Sequence, residues 1–149
     1  WNYRFTNLQS AVGLAQLKKL NSFIKKKREI GKIYNNQLSK INSFYTPLDK
    51  KSYARNIYWV YGLVLKRNCK ISLNTFMKKL KKEGIETRNF FWPLHKQPVL
   101  NKMGLFKNVK LPVSEYLSKN GFYLPAGLAL SKKQQQYIIN KVKKILNFS

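Results

Sequence analysis

A chain of 149 residues, 44% hydrophobic and 14% aromatic, is long enough for one domain with a real core and too apolar for a disordered segment. No apolar run approaches the ~20 residues that cross a bilayer, and one Cys with one His excludes an internal disulfide and a metal cluster. The net charge of +25 comes from 30 basic and five acidic residues; the basic ones are mostly Lys, scattered over polar faces of expected helices, so we read a solvated surface rather than a nucleic-acid groove.

The first stretch, Trp1-Asn-Tyr-Arg-Phe-Thr-Asn-Leu-Gln9, places an amide, a phenol and a guanidinium directly before a helix. Thr6 followed by Gln9 has capping-box spacing. Asn2 and Arg4 therefore precede a helix N-terminus, where free N–H groups and the dipole favour anions. They read either as a phosphate site or as ordinary polar residues on a terminus. From Thr6 to about Ser39, Leu8, Val12, Ala15, Leu20, Phe23, Ile24, Ile30, Tyr34 and Leu38 recur at helical spacing, which predicts one long helix with a buried stripe. Gly13 and Gly31 are candidate weak points or close-packing positions.

Thr46-Pro47-Leu48-Asp49 predicts a turn and 50–56 a polar loop. Ile57 to Leu65 is rich in β-branched and aromatic residues, a strand buried on both faces or facing an aromatic cleft on one. Ser72 caps a helix whose Leu73, Phe76, Met77 and Leu80 point inward, with Gly84 as its stop. A short strand is expected over 85–90. Together these elements predict an α/β arrangement of α+β-like character, a long N-terminal helix and a small, mainly antiparallel sheet with helices on one side.

Arg88 and His95 stand among Phe90, Phe91 and Trp92, with Pro93 and Pro98 fixing the backbone. Such a mixture suits the wall of a cleft. His95 reads either as a structural hydrogen-bonder or as a site residue. A loop over 100–113 leads to a short helix at Ser114-Glu115, with Glu115 complementing its dipole. After Gly121 to Gly127, Ser131 with Gln134 reads as a second capping box, and Tyr137, Ile138, Val142 and Ile145 as the apolar face of a last helix.

Several of these stretches, in this order, resemble the C-terminal part of the DegT/DnrJ/EryC1/StrS family, pyridoxal-phosphate-dependent sugar aminotransferases of the type I fold. Trp1 stands at the family's aromatic, Asn2-Tyr3-Arg4 match its Asn-Tyr-Arg, and Phe5 replaces its usual Met. Gly84-Ile85…Arg88…Phe91…Pro93…His95 resembles a second motif, Ser114-Glu115 a third and Leu124-Pro-Ala-Gly127 a fourth. The resemblance implies that residues 1–149 are the small, C-terminal domain of a longer aminotransferase, with the helix over 1–39 at the domain junction and dimer interface. A start on Trp1, inside a motif, agrees with a fragment.

By position, the resemblance assigns Asn2 to the cofactor phosphate of the neighbouring subunit. It assigns Arg4, Tyr3, His95 and Arg88 to the substrate side, with Arg88 either structural or facing the substrate. Shared sites imply a homodimer. The implied reaction moves an amino group from glutamate, through pyridoxal 5'-phosphate, to a keto-deoxysugar nucleotide; Phe90 to Pro98 looks most like enzymes that make 4-amino-4,6-dideoxy sugars such as perosamine. No nucleic-acid or membrane partner is implied, and the lone Cys69 fits a reducing, cytoplasmic setting. The catalytic Lys, which carries the cofactor as a Schiff base, is expected upstream of Trp1, so this piece alone is expected to be inactive. The family also holds regulatory members and dehydratases in which that Lys is replaced.

Overall fold

In the computed structural model, residues 2–147 are described; Trp1, the aromatic of the opening motif, lies outside them. The capping box forms as the spacing predicts, with Gln9 N–H donating to Thr6 Oγ1 (3.3 Å) and Thr6 N–H to Gln9 Oε1 (2.9 Å). It opens α1, Asn7–Lys18. The expected long helix is broken at Lys19 and resumes as α2, Leu20–Leu38. Neither glycine causes the break. Ser22 donates its hydroxyl to Lys19 O (2.7 Å), a back-bond of the kind that bends helices.

The buried stripe is shorter than the periodicity predicts. Within α2, Ile30, Tyr34 and Leu38 are buried, but no residue of α1 is. Leu8 and Val12 stay exposed because none of the described residues packs on that face.

A four-stranded sheet takes the order β1-β4-β6-β5, every pairing antiparallel. Its strands are β1 Phe44–Tyr45, β4 Tyr61–Leu65, β5 Arg88–Asn89 and β6 Gly121–Leu124. A separate hairpin joins β2 Lys50–Lys51 to β3 Ala54–Arg55 inside the expected polar loop. The strand read from Ile57 starts only at Tyr61, because Tyr58 adopts φ +52° and turns the backbone out of the extended region. The strand read over 85–90 shortens likewise to Arg88–Asn89.

Strand alternation divides the sheet into two faces. On the inner face, Tyr61 pairs with Leu124, Leu63 with Phe122 and Phe44 with Leu65. These meet α2, α3 (Leu73–Lys82) and α6 (Lys132–Asn147) in one core. Phe76 stands edge-on to both Phe44 and Phe122, with centroids 5.8 and 5.5 Å apart; burying each such ring contributes roughly 1.5–3 kcal/mol. Ser72 caps α3 and Gly84, at φ +73°, follows its end, as expected.

Polar groups inside this core are bonded. Tyr34 donates to Pro125 O (2.8 Å) and Gln135 Nε2 to Ile30 O (2.8 Å). Lys27, from the middle of a run expected to be solvated, instead donates from Nζ to Trp59 O (2.8 Å) and Ala126 O (2.5 Å). Those carbonyls flank the end of the β4–β6 ladder, so one ammonium ties α2 to both strands.

Candidate functional site

The amino-terminal trio is built by a local turn. Asn2 Oδ1 accepts from the Arg4 backbone N–H (3.1 Å) and from Arg4 Nε (3.3 Å). That arrangement uses the amide oxygen and leaves the amide nitrogen and the two terminal guanidinium nitrogens as donors. Tyr3 is almost fully exposed beside them, and the first turn of α1 holds no acidic residue. Unused donors next to the positive end of a helix favour an anion.

Arg88 lies on the outer face of the sheet. Its register partner is Tyr123, which shares that face with Gly62, Val64 and Tyr45. Phe90 stacks on Tyr123 with centroids 4.7 Å apart and fills the space left by two glycines. A Cβ on Gly121 would stand 2.4 Å from Phe90 Cδ2, and one on Gly62 would stand 2.8 Å from Phe90 Cζ. Two apolar clefts share the Phe90–Tyr123 pair. One, of about 560 Å³, is walled by Phe91, Leu111, Pro112 and Val113; the other, of about 470 Å³, by Tyr45, Ile57, Trp59 and Val60. Burial raises the Tyr123 phenol above its ordinary pKa. This face therefore offers aromatic surface with one guanidinium beside it, the cleft wall that the residue mixture predicts.

His95 is buried, in a single 3-10 turn over Leu94–Lys96. Its Nε2 stands 3.0 Å from Glu115 Oε1. Glu115 belongs to the first turn of α5, Pro112–Asn120, which starts earlier than Ser114 because Pro112 suits a first helical position. The His95 hydrogen bond, with further help from Leu111 N–H and Lys96, holds the Glu115 carboxyl below the usual carboxylate range. An ionised carboxylate only accepts, so His95 Nε2 is the donor. The turn is closed from both sides: Trp92 Nε1 donates to Lys96 O (2.8 Å) and Gln97 Nε2 to Trp92 O (3.0 Å).

The structure thus joins Asn2 to Arg4, Arg88 to the Tyr123 face, and His95 to Glu115. Among the described residues, no hydrogen bond or ion pair links the amino-terminal trio to Arg88 or His95. Tyr45 is the part of this face that nothing in the sequence singles out, whereas Trp59 fits the aromatic-cleft alternative for residues 57–65. Tyr45 reaches the face through its register with Val64 on the neighbouring strand, a pairing between distant segments that carries no local signal.

Comparison with known proteins is consistent along the whole chain. Residues 1–143 match the model of the DegT/DnrJ/EryC1/StrS aminotransferase family. A GDP-perosamine synthase of Vibrio cholerae is 31% identical over 148 residues, 99% of this chain and 39% of that protein. A GDP-perosamine synthase of Escherichia coli O157:H7 is 34% identical over 142 residues, 95% of this chain and 36% of that protein. Among solved structures, Helicobacter pylori PseC, an aminotransferase involved in pseudoaminic acid biosynthesis, shares the fold with a TM-score of 0.87 at 23% identity. That match covers 100% of this chain and 39% of PseC. The chain therefore spans less than two-fifths of the length of these relatives.

Proposed function

Because this chain belongs to the DegT/DnrJ/EryC1/StrS aminotransferase family, we propose that it is the small, C-terminal domain of a pyridoxal-phosphate-dependent nucleotide-sugar aminotransferase. In this reading the whole protein moves an amino group from glutamate to a keto-deoxysugar nucleotide. The product is a 4-amino-4,6-dideoxy sugar of the perosamine type, made in the cytoplasm for surface polysaccharide. The observation that carries the reading is the alignment of nearly the entire chain, at 31% and 34% identity, with two GDP-perosamine synthases.

The residues present suit one end of the cofactor. Asn2 keeps an amide N–H2 to donate, beside a helix start without carboxylates, and such a donor set fits a phosphate. Asn2 would hold the cofactor phosphate of the neighbouring subunit in a homodimer. When bound, pyridoxal phosphate supplies the electron sink for amino transfer. Arg4, with its terminal nitrogens unused, would bind the substrate diphosphate as a charge-assisted fork, and Tyr3 would line the same mouth. Arg88 would meet substrate along the Tyr123 face. His95, buried and bonded to Glu115, would act on that wall by fixing the turn from Trp92 to Gln97.

The test uses the full-length protein. Borohydride reduction of the pyridoxal-phosphate-loaded enzyme, followed by peptide mapping, should place a pyridoxyl group on a Lys upstream of Trp1. Incubation with glutamate and a nucleotide-linked 4-keto-6-deoxy sugar should yield the amino sugar by mass spectrometry. Absence of both adduct and product would overturn the reading.

A further inference from the structure

The face of α2 opposite the core and the segment from Asp49 to Tyr58 enclose a cleft of about 650 Å³, lined by none of Asn2, Tyr3, Arg4, Arg88 or His95. Its size falls within the range of small-ligand sites, ~300–1,000 Å³. Lys25, Arg28 and Lys32 line it from successive turns of α2, and Arg55 lines it from β3. Like charges at these helical spacings repel and destabilise a helix. The cleft holds two carboxylates, Glu29 and Asp49. Among the described residues neither forms an ion pair with any of the four cations.

The wall behind these charges is fixed. Tyr58 is buried, its ring pressed against Gly31 and its backbone at φ +52°. Its hydroxyl donates to Asp49 Oδ1 (3.1 Å) and accepts from Asn35 Nδ2 (3.0 Å). Asn35 in turn accepts from Tyr61 in the core (2.7 Å). Arg28 is anchored through Nε to Asn56 O (3.2 Å), which leaves its two terminal nitrogens for another acceptor. A strained residue held by such a network is the kind of feature that marks a ligand clamp.

Four cations against two carboxylates leave an excess of two positive charges, which a phosphate monoester dianion neutralises. The carboxylates disfavour a polyphosphate or nucleic-acid strand and suit hydroxyl donors instead. We propose that this cleft binds a phosphate monoester of a polyol, a sugar phosphate or nucleoside monophosphate, with the phosphate on Arg28 and Arg55 and the hydroxyls on Asp49 and Glu29. Planar guanidinium forks match phosphate oxygens in this way. This inference goes beyond the aminotransferase reading and does not rest on it.

Calorimetric titration of the full-length protein at physiological salt tests it, with ribose 5-phosphate, adenosine monophosphate and inorganic phosphate as probes. At least one of the two esters should bind more tightly than inorganic phosphate, and whichever binds better identifies the source. Arg55→Gln should weaken that binding at least about tenfold. Arg55 makes no side-chain hydrogen bond among the described residues, so this variant keeps the fold; Arg28→Gln gives the second arm. Arg4→Gln should leave the ester affinity unchanged. No ester binding, equal affinity for inorganic phosphate, an unaffected Arg55→Gln variant, or loss in Arg4→Gln instead would each overturn the proposal.

Discussion

His95 Nε2 and Glu115 Oε1 meet at 3.0 Å across the junction of the 3-10 turn and α5, with the imidazole buried and the carboxylate partly open to solvent. His95→Ala removes the donor, strips Glu115 of its main partner and opens a small void, an expected loss of about 1–3 kcal/mol. The acid limb follows from the lowered Glu115 pKa. A carboxyl whose folded pKa lies below its ordinary value of 4.5 contributes stability above that value and loses it as pH falls through the folded pKa. Glu115→Gln should therefore melt lower than wild type at neutral pH, and the gap should narrow below pH 4.5. A constant gap in thermal melts from pH 7 to 3 would refute this.

Gly31 and Gly13 should respond to the same substitution with opposite signs. A Cβ on Gly31 would stand 2.3 Å from Tyr58 Cγ, and that ring is held by its hydroxyl bonds to Asp49 and Asn35. Overpacking of this kind costs about 1–3 kcal/mol, and the better helix propensity of Ala returns at most about 1. Gly31→Ala should destabilise by about 1–2 kcal/mol. At Gly13 nothing stands within 4 Å, so Gly13→Ala should stabilise α1 by about 0.5–1 kcal/mol. Urea titrations of the two variants measure both signs.

Tyr58 gives a spectroscopic handle on the same contact. Burial, and then the Asp49 carboxylate, push its phenol from 10.0 up to about 12. A group with a raised folded pKa contributes stability that is complete below its unfolded value and is lost as pH rises towards the folded one. Absorbance titration should lose one phenol ionising near pH 12, rather than near 10, in Tyr58→Phe. The Tm of wild type should fall more steeply than that of Tyr58→Phe between pH 10 and 12.

Much of this architecture is legible in the sequence because its signals are local. Thr6 with Gln9, Ser72 with Thr75, and Gly84 beyond α3 each specify a helix boundary through bonds made within a few residues. What escapes reading depends on distant partners. Leu8 and Val12 carry the same helical periodicity as Ile30 and Tyr34, but only the latter meet the sheet. Ile57 to Leu65 is so continuously apolar that its pattern leaves burial on both faces and an aromatic cleft on one equally open, and nothing in it shows that Tyr58 breaks the strand. Asn2, Arg4, Arg88 and His95 are singled out as candidates by resemblance to motifs, whereas the Glu115 partner of His95 arrives from 20 residues away. Lys27 looks like its neighbours Lys25 and Lys26 until α2 is placed against β4 and β6.

Lys27→Met should show that this Lys is structural. The variant keeps a long apolar stem but removes the ammonium that donates to Trp59 O and Ala126 O. Burial lowers the Lys27 pKa, yet the two carbonyls are what the charge compensates, and leaving them unpaired costs about 1–3 kcal/mol. Lys26→Met, on the exposed side of the same helix turn, should stay within about 0.5 kcal/mol of wild type. Hydrogen exchange should localise the Lys27→Met loss to the ends of β4 and β6. Equal melting of the two variants would remove Lys27 from the structural account.

The amino-terminal trio yields the prediction closest to the proposed chemistry, and it separates two roles within three residues. Asn2 Oδ1 orders Arg4 through its backbone and Nε, so each side chain is expected to serve a different anion. In the full-length enzyme, Arg4→Gln should raise KM for the nucleotide sugar roughly 10- to 100-fold, the loss of a charged hydrogen bond of about 1.5–3 kcal/mol. Cofactor retention should change little. Asn2→Ala should have the complementary effect, with faster loss of pyridoxal phosphate on dialysis and a modest change in KM at saturating cofactor. Because Asn2 also orients Arg4, its substitution should raise KM severalfold, less than Arg4→Gln does. Steady-state kinetics over a range of cofactor concentrations measures both effects. If Arg4→Gln lost cofactor while Asn2→Ala lost only substrate affinity, the two assignments would have to be exchanged.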